Sequence, residues 1–356
     1  MTRVASRAAV ARSGAWTYDA RERVARGRGL RVSYVSRADV KFMHDEIFER
    51  ECYGCAAMQN ASKKAGVVID VGANVGLSAL WFAARSDVVI ACEPIPRTFA
   101  ALVENVGARE NRGGETTTRD AATTCGVRGV EIKGAARDGR GMATVYAHDV
   151  GVGGERRDAA DFVEFPRAAG WATRENARDD AETTENLIAY VLDALKGDGG
   201  GDDGLESNVV VGAGRWLRAR VADADDDATP LRRLASVIAS FVLRVAVRCV
   251  AAYMLSGARV VKRPVVTVSD LIEAHGLDSV DLLKIDVERA ELDVLNGVDE
   301  TDWGKIQRVH LECHDSNFDR AVEVLKSKGA FDVVRVDALF GSARLRNIRA
   351  SRRVAS

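Results

Sequence analysis

The residues best suited to chemistry lie at the ends of three apolar runs. The first, Val67-Val-Ile-Asp-Val71, carries Asp70 and enters a turn with Gly72, Asn74 and Gly76, after which Leu77-Ser-Ala-Leu-Trp-Phe-Ala-Ala84 has a helical pattern. The second, Val88-Val-Ile-Ala-Cys92, ends in Glu93-Pro94. The third, Val280-Asp-Leu-Leu-Lys-Ile-Asp-Val287, leaves Asp286, Glu288 and Glu291 at its exit. A strand, a glycine turn and a helix together mark a place where backbone comes close to a ligand. Two successive strands with a carboxylate at each C-terminal end make half of a nucleotide-type α/β site. A dinucleotide would call for G-x-G-x-x-G, which seats a pyrophosphate on a helix N-terminus. Here the third glycine is missing, and Asp70 brings a negative charge into the loop. That charge is poor for phosphate and good for an ammonium group. A ligand with an amino-acid head, a ribose and an adenine but no phosphate fits S-adenosylmethionine (SAM). In that reading the Gly72–Asn74–Gly76 turn approaches the methionine part. Asp70 acts on the amino group directly or through water, and Glu93 accepts both ribose hydroxyls.

These side chains need a sheet to hold them. Strand 67–72, helix 77–85, strand 88–92 and helix 96–106 follow in βαβα order, which implies a parallel sheet with right-handed crossovers. Short strands are expected at Val130–Ala136 and Met142–Tyr146, around a turn at Asp138–Gly141. Alternation resumes at Val265. Val266–His275 reads as a strand end running into a helix capped by Ser269 or Asp270. Strands follow at 280–287 and at 306–314, the latter ending in Glu312 and His314. A helix over Arg320–Lys328 and strands near 331–336 and 344–348 complete the pattern. Before the first strand, Asp39–Tyr53 reads as a helix with Phe42, Ile47 and Phe48 as its apolar positions. Its Glu46, Glu49 and Tyr53 either reach the site or form a solvated face, the plainer reading for each taken alone.

Two regions break the pattern. Residues 1–37 read as a poorly ordered leader, and the first 17, rich in Ala, Arg and Ser with no acidic residue, fit an organellar transit peptide or a basic tail. Residues 151–230 read as a flexible Gly/Asp-rich insertion with a short helix at Glu185–Leu195, followed by a long apolar helix at 231–255. That helix is expected to pack on the domain or cover the site rather than touch a membrane. The organisation is therefore one interrupted domain over 38–350.

At this point the chain resembles a known family, the FkbM-type SAM-dependent methyltransferases. The resemblance rests on Val-Ile-Asp-Val-Gly-Ala-Asn-Val-Gly at 68–76, Cys-Glu-Pro-Ile-Pro at 92–96 and Leu-Leu-Lys-Ile-Asp-Val-Glu-Arg-Ala-Glu-Leu-Asp-Val-Leu-Asn-Gly at 282–297. His310-Leu-Glu-Cys-His-Asp315 adds to it, and the 45–53 helix with Asp302-Trp303 is similar to the branch found in polyketide and non-ribosomal peptide systems. It covers about 39–148 and 262–350 but not the insertion, and Arg289 stands where the family usually has Gly. The resemblance implies a Rossmann-like class I fold, with a seven-stranded, mostly parallel sheet whose last strand is antiparallel. It also implies O-methylation of a small or carrier-bound hydroxylated acceptor, with N- or C-methylation and a non-catalytic SAM-fold module as alternatives. Asp286, Glu288, Glu312 and His314 then leave adjacent strands at the ligand end of the sheet. His314 is the expected proton acceptor. Asp286 or Glu288 orients the hydroxyl or, with Glu312 and His314, holds a divalent ion. Lys284 reads as a structural charge paired with Glu312, Glu291 as a first-turn helix acid, and His275 and His310 as structural.

Composition narrows the alternatives. A net charge of −1 over 356 residues gives no electrostatic footprint for nucleic acid, and 6% aromatics gives little for base stacking. Six scattered cysteines, two of them (Cys92 and Cys313) in expected buried strands, point to reduced thiols and an intracellular setting, in the cytoplasm or a plastid or mitochondrion. The lone Cys52-Tyr-Gly-Cys55 lacks the second pair that a zinc site needs. No apolar run reaches the ~20 residues needed to span a bilayer.

Overall fold

The structure, a computed structural model, describes residues 16–54, 65–112, 116–122, 128–134, 143–168, 172–174, 184–185, 241–242, 245–246, 248–338 and 345–352. Its centre is a nine-stranded sheet in the order β15-β16-β14-β13-β4-β5-β8-β7-β6. β4 (Ala65–Val71), β5 (Ser86–Cys92), β8 (Thr144–His148), β13 (Leu282–Ile285) and β14 (Arg308–His314) run parallel. β16 (Leu345–Ser351) inserts antiparallel between β14 and β15 (Asp332–Ala338). These seven strands are the expected sheet with its antiparallel last strand. An antiparallel hairpin, β6 (Thr116–Ala122) and β7 (Arg128–Gly134), extends it by two strands beyond β8.

Both faces are covered, which is why the parallel strands read as unbroken apolar runs rather than as alternating ones. Val68 and Val89 face α2 (Leu77–Ala83) and α3 (Pro96–Gly107), packing with Trp81, Phe82 and Leu102. Ile69, Ile90, Leu283 and Ile285 face the opposite layer, with Leu271, Leu295 and Trp303. Cys92 and Cys313 are buried free thiols, as their strand positions implied.

The N-terminal expectation needs correction. Residues 1–15 lie outside the described residues, but from Trp16 onward the supposed leader is a three-stranded antiparallel sheet. Its strands are β1 (Thr17–Asp19), β2 (Val24–Gly27) and β3 (Leu30–Ser33). Arg28 and Gly29, with φ of 51° and 80°, form the two-residue link between β2 and β3, the backbone that a right-twisted hairpin favours. Val24, Ala25 and Val32 are buried, and Asn105 of α3 fastens the hairpin. Its Oδ1 accepts the Ser33 N–H at 2.6 Å, and its amide donates to Ser33 O at 2.9 Å and Val75 O at 2.8 Å. The basic composition concealed a sheet whose apolar positions are few but well placed. After it, α1 (Arg37–His44) continues as a π turn over Asp45–Glu49, so the expected 39–53 helix ends early.

The insertion is likewise ordered at its start. β9 (Gly151–Val152), β10 (Arg157–Glu164) and β11 (Thr173–Arg174) join β12 (Arg259–Val266) in a second sheet, in the order β11-β10-β12-β9. Val152, Phe162, Val163, Val265 and Val266 are among its buried positions. The Gly/Asp run that suggested flexibility starts only at Lys196 and lies outside the described residues, as do the turn at 138–141, Cys55, and the 185–195 helix beyond its first residue. Of the expected 231–255 helix, residues 241–242, 245–246 and 248–255 are described and all are helical (α4), with Ala251 and Met254 buried and Tyr253 exposed. No helix among the described residues is long and apolar enough to cross a membrane.

Toward the C-terminus, α5 (Val268–Ala274) is capped by Thr267 in a reciprocal box with Asp270, not by Ser269 or Asp270. Ser269 Oγ instead accepts the Asp299 N–H. α6 (Glu291–Asn296) follows β13, and α8 (Asp315–Ser327) begins directly after β14, five residues before the expected start, with the four-residue α7 (Glu300–Trp303) between them.

Asn105→Ala removes three hydrogen bonds that no water can replace at a buried site. We expect it to lower unfolding free energy by about 2–4 kcal/mol in urea denaturation.

Candidate active site

The site forms where β4, β5, β13 and β14 end. Gly72, just past β4, has a φ of 75°, and a Cβ there would lie 1.9 Å from the Asp286 carbonyl oxygen. Only glycine lets the first turn and the β13 exit touch. The N–H groups of Gly72 and Ala73 donate to Cys92 O at 3.1 and 3.0 Å. Asn74 follows with a φ of 50°, and its own Oδ1 accepts the Val75 N–H at 2.8 Å, which supports the left-handed backbone. Gly76 has a different task from the one expected. It does not line the cavities described below. With a φ of 85° it opens α2, where a Cβ would press on Leu102.

Lys284 holds this turn from below. It is fully buried, and its Nζ meets Asp70 Oδ1 at 3.0 Å, Asp286 Oδ2 at 3.4 Å, Gly72 O at 2.7 Å and Val71 O at 3.3 Å. Burial pushes the ammonium pKa down, but Asp70 and Asp286 outweigh it and keep the charge in place. The expected Glu312 partner is therefore replaced by Asp70 and Asp286. Asp70 is corrected with it: the carboxylate is buried, with Ser78 Oγ donating to Oδ2 at 2.7 Å and Lys284 on Oδ1. It fixes the turn rather than meeting a ligand ammonium directly.

Glu93 is placed as a receptor. Its Oε2 accepts the Asn74 N–H at 3.1 Å and its Oε1 the Ile95 N–H at 2.8 Å, and it lines a cavity with Gly72, Asn74, Ile95, Val150 and Phe162. Burial raises its pKa to about 7 against those two bonds. Each carboxylate oxygen keeps a lone pair toward the cavity. Phe162, Thr173 and Arg174 of the insertion close this cavity, Thr173 Oγ1 donating to Glu288 O at 2.6 Å.

A second cavity lies across the turn and shares Gly72, Asn74 and Glu288 with the first. Its walls include Glu46, Tyr53, Lys284, Asp286 and Glu312. Beside it stands His314, whose Nε2 is 3.2 Å from Glu288 Oε2 and whose Nδ1 is 2.6 Å from Glu291 Oε1. Burial alone would push the imidazole pKa down, but the hydrogen bonds to both carboxylates hold it up to about 11. Both nitrogens are occupied and protonated near neutral pH, so His314 is not the free proton acceptor expected of it. Glu291, expected as a simple first-turn acid, is wholly buried and also accepts from Asn317 Nδ2 at 2.5 Å. Glu288 and Glu312 are both pushed up, first by burial.

The expected ion site is not formed by these groups. Among the described residues, no three of Asp286, Glu288, Glu312 and His314 bring ligating atoms within 4.8 Å of one another. The set that does converge, His44, Asp45 and Glu49, is bound up with Lys41 and Arg28. His310 is structural, with Asn347 Oδ1 3.3 Å from Nε2, and His275 lies against His148 at 2.9 Å. Sequence reasoning underrated Glu46 and Tyr53, whose only signal was a helix just before the first strand. It gave no role to Phe162, Thr173 or Arg174.

The folded pKa of His314 lies above its unfolded value near 6.5. Its stabilising effect is thus full below about pH 6.5 and declines as pH rises toward 11. The difference in unfolding free energy between the natural protein and His314→Gln should shrink steadily from pH 6.5 to pH 10; a difference constant with pH would contradict the doubly paired imidazolium.

Comparison with known proteins agrees with this geometry. The Methyltransferase FkbM domain matches residues 70–340. The chain is 25% identical over 328 residues to the 31-O-demethyl-FK506 methyltransferase FkbM of Streptomyces tacrolimicus, covering 91% of this chain and 94% of that one. It is 25% identical over 300 residues to Methyltransferase 1 of Beauveria bassiana, covering 83% and 82%. It is 26% identical over 325 residues to the AMB antimetabolite synthetase AmbE of Pseudomonas aeruginosa, covering 87% of this chain but 12% of that far longer protein. No solved structure matches the chain. With three-quarters of its length in that domain and the strand-end site in place, the chain belongs to the FkbM methyltransferase family and is a SAM-dependent methyltransferase.

Proposed function

We propose that the protein moves the methyl group of SAM to a hydroxyl oxygen of a small or carrier-bound metabolite. The observation that carries this reading is Glu93. It is a carboxylate held by two backbone N–H groups at the wall of a cavity that is otherwise mostly apolar, with lone pairs left for a vicinal diol. Ile95, Val150 and Phe162 offer the flat apolar surface that a purine needs beside it. The relative from Streptomyces, by its name, methylates an O-demethylated compound, which favours oxygen as the acceptor atom.

SAM, when bound, supplies an already activated sulfonium methyl, so the protein must align, desolvate and deprotonate. The acceptor oxygen bonds to the methyl carbon, the carbon–sulfur bond breaks with its electrons going to sulfur, and the hydroxyl proton passes to a carboxylate. Glu288 is that carboxylate, because it borders both cavities. His314, on its far oxygen, is a positioning residue. Asp286, about one-third exposed in its side chain, orients the hydroxyl from the β13 exit.

Turnover of SAM against a panel of hydroxylated and amine acceptors tests this. Glu93→Ala should raise KM for SAM by roughly ten- to a hundredfold with a smaller change in kcat. Glu288→Gln should lower kcat by about 10²–10⁴ while SAM still binds. Full kcat in Glu288→Gln would remove it from proton transfer, and methylation confined to amines would remove oxygen as the acceptor.

A further inference from the structure

One wall of the second cavity comes from outside the matched domain. α1 changes to π winding over Asp45–Glu49, a local over-count of residues that tends to occur at functional sites. The winding is fixed from its outer side. Asp45 Oδ2 takes Lys41 Nζ at 2.5 Å, Asp45 Oδ1 lies 3.2 Å from Arg28 Nη1, and Glu49 pairs with the same Arg28. Glu46 sits between these anchored acids in sequence but lines the cavity, facing Asp286 and Glu312. Neither the Glu46 nor the Glu312 carboxylate has a hydrogen bond or ion pair among the described residues.

The charge in this cavity is one-sided. Asp39, Glu46, Asp286, Glu288 and Glu312 border it, while the nearby cations are already met, Lys284 by Asp70 and Asp286 and His314 by Glu288 and Glu291. Such a pocket repels anions and accepts a cation. If Glu93 holds the ribose, the amino-acid tail of SAM runs from the first cavity over the shared Gly72–Asn74 turn into this one. That tail carries an ammonium and a sulfonium against a single carboxylate, a net charge of +1.

We propose that Glu46 is a ligand of that tail, accepting a hydrogen bond from its ammonium, so that the N-terminal segment completes the donor site. This rests on the SAM reading above. Burial, with Asp286 adding to it, raises Glu46 to about 7, while Arg50 and Lys284 pull the other way. Glu312 is also raised well above the usual carboxylate range, by burial first and then by Asp286, Glu46 and Glu288. The other titratable neighbours, Cys52 and Tyr53, are pushed upward by burial and stay neutral. Without ligand, Glu46 therefore holds a fraction of a proton near pH 7. A bound cation ionises it and drives that proton off, so SAM affinity rises as pH passes through about 7.

Calorimetry on the full chain at pH 7, in two buffers of different ionisation enthalpy, reads this directly. SAM should release more proton on binding than 5′-methylthioadenosine, which lacks the amino-acid tail but presents the same ribose to Glu93. Glu46→Gln should weaken SAM about tenfold, the scale of one charged hydrogen bond, leave 5′-methylthioadenosine unchanged and abolish the excess release. Glu46→Asp should keep the release. Binding of SAM to the natural protein with no more proton release than 5′-methylthioadenosine overturns the proposal without any variant. So does Glu46→Gln with unchanged SAM affinity, including the case where only its turnover falls. If SAM does not bind the natural protein at all, the cofactor reading itself fails, which is a different result from either of these.

Discussion

A single buried cation organises the ligand end of this sheet. Lys284 is the only charged side chain of β13, and all of its charge is met inside the protein by two carboxylates and two carbonyl oxygens. Removing one partner from such an arrangement typically costs about 3–5 kcal/mol, because the remaining charge is stranded in a poor solvent. Here the geometry depends on it as well. Asp70 and the Gly72 carbonyl belong to the first strand and its turn, and Asp286 to the β13 exit. One ammonium therefore joins two parallel strands at the level where ligands bind. The missing side chain at Gly72 permits this closeness, with the turn backbone resting on the Asp286 carbonyl.

Around that centre the acids divide into two groups by what faces them. Asp70 and Glu291 are wholly buried and matched, by Lys284 and by His314. Glu46, Glu93 and Glu312 form no ion pair among the described residues and are raised chiefly by burial. Glu288 stands between, tied to His314 on one side and open to both cavities on the other. The first group builds the site and the second is available to a ligand. This division also explains why the histidine, the obvious base by residue type, is the wrong one by environment: an imidazole bonded at both nitrogens to carboxylates has no lone pair to offer.

The site also draws on parts of the chain that its central motifs do not announce. The N-terminal hairpin, fastened by Asn105, carries Arg28, and Arg28 holds the π turn that presents Glu46. From the other side, the start of the insertion brings Phe162 and Thr173 against Glu93 and Glu288. A sheet edge and a helix turn, separated by more than a hundred residues in the chain, thus wall the two cavities that share Gly72, Asn74 and Glu288.

The sequence by itself determined the alternation of parallel strands and helices and the strand ends that carry the site. Unbroken Val/Ile/Leu runs, glycines at the first turn and carboxylates just past the second and third strands admit few arrangements, and Glu93, Asp286 and Glu288 all stand where those runs placed them. Local pattern also located α2, α3 and the buried thiols. What it did not reveal was which charge faces which. The Lys284–Asp70 contact spans 214 positions, and the burial of Asp70, the double pairing of His314 and the inward turn of Glu46 are set by neighbours from other elements. Composition misled at residues 16–37 and 151–174, since basic or glycine-rich stretches can still order when a few apolar side chains find a prepared surface. Residue type states what a group can do in water, and only the tertiary structure decides whether water, a partner charge or an empty cavity surrounds it.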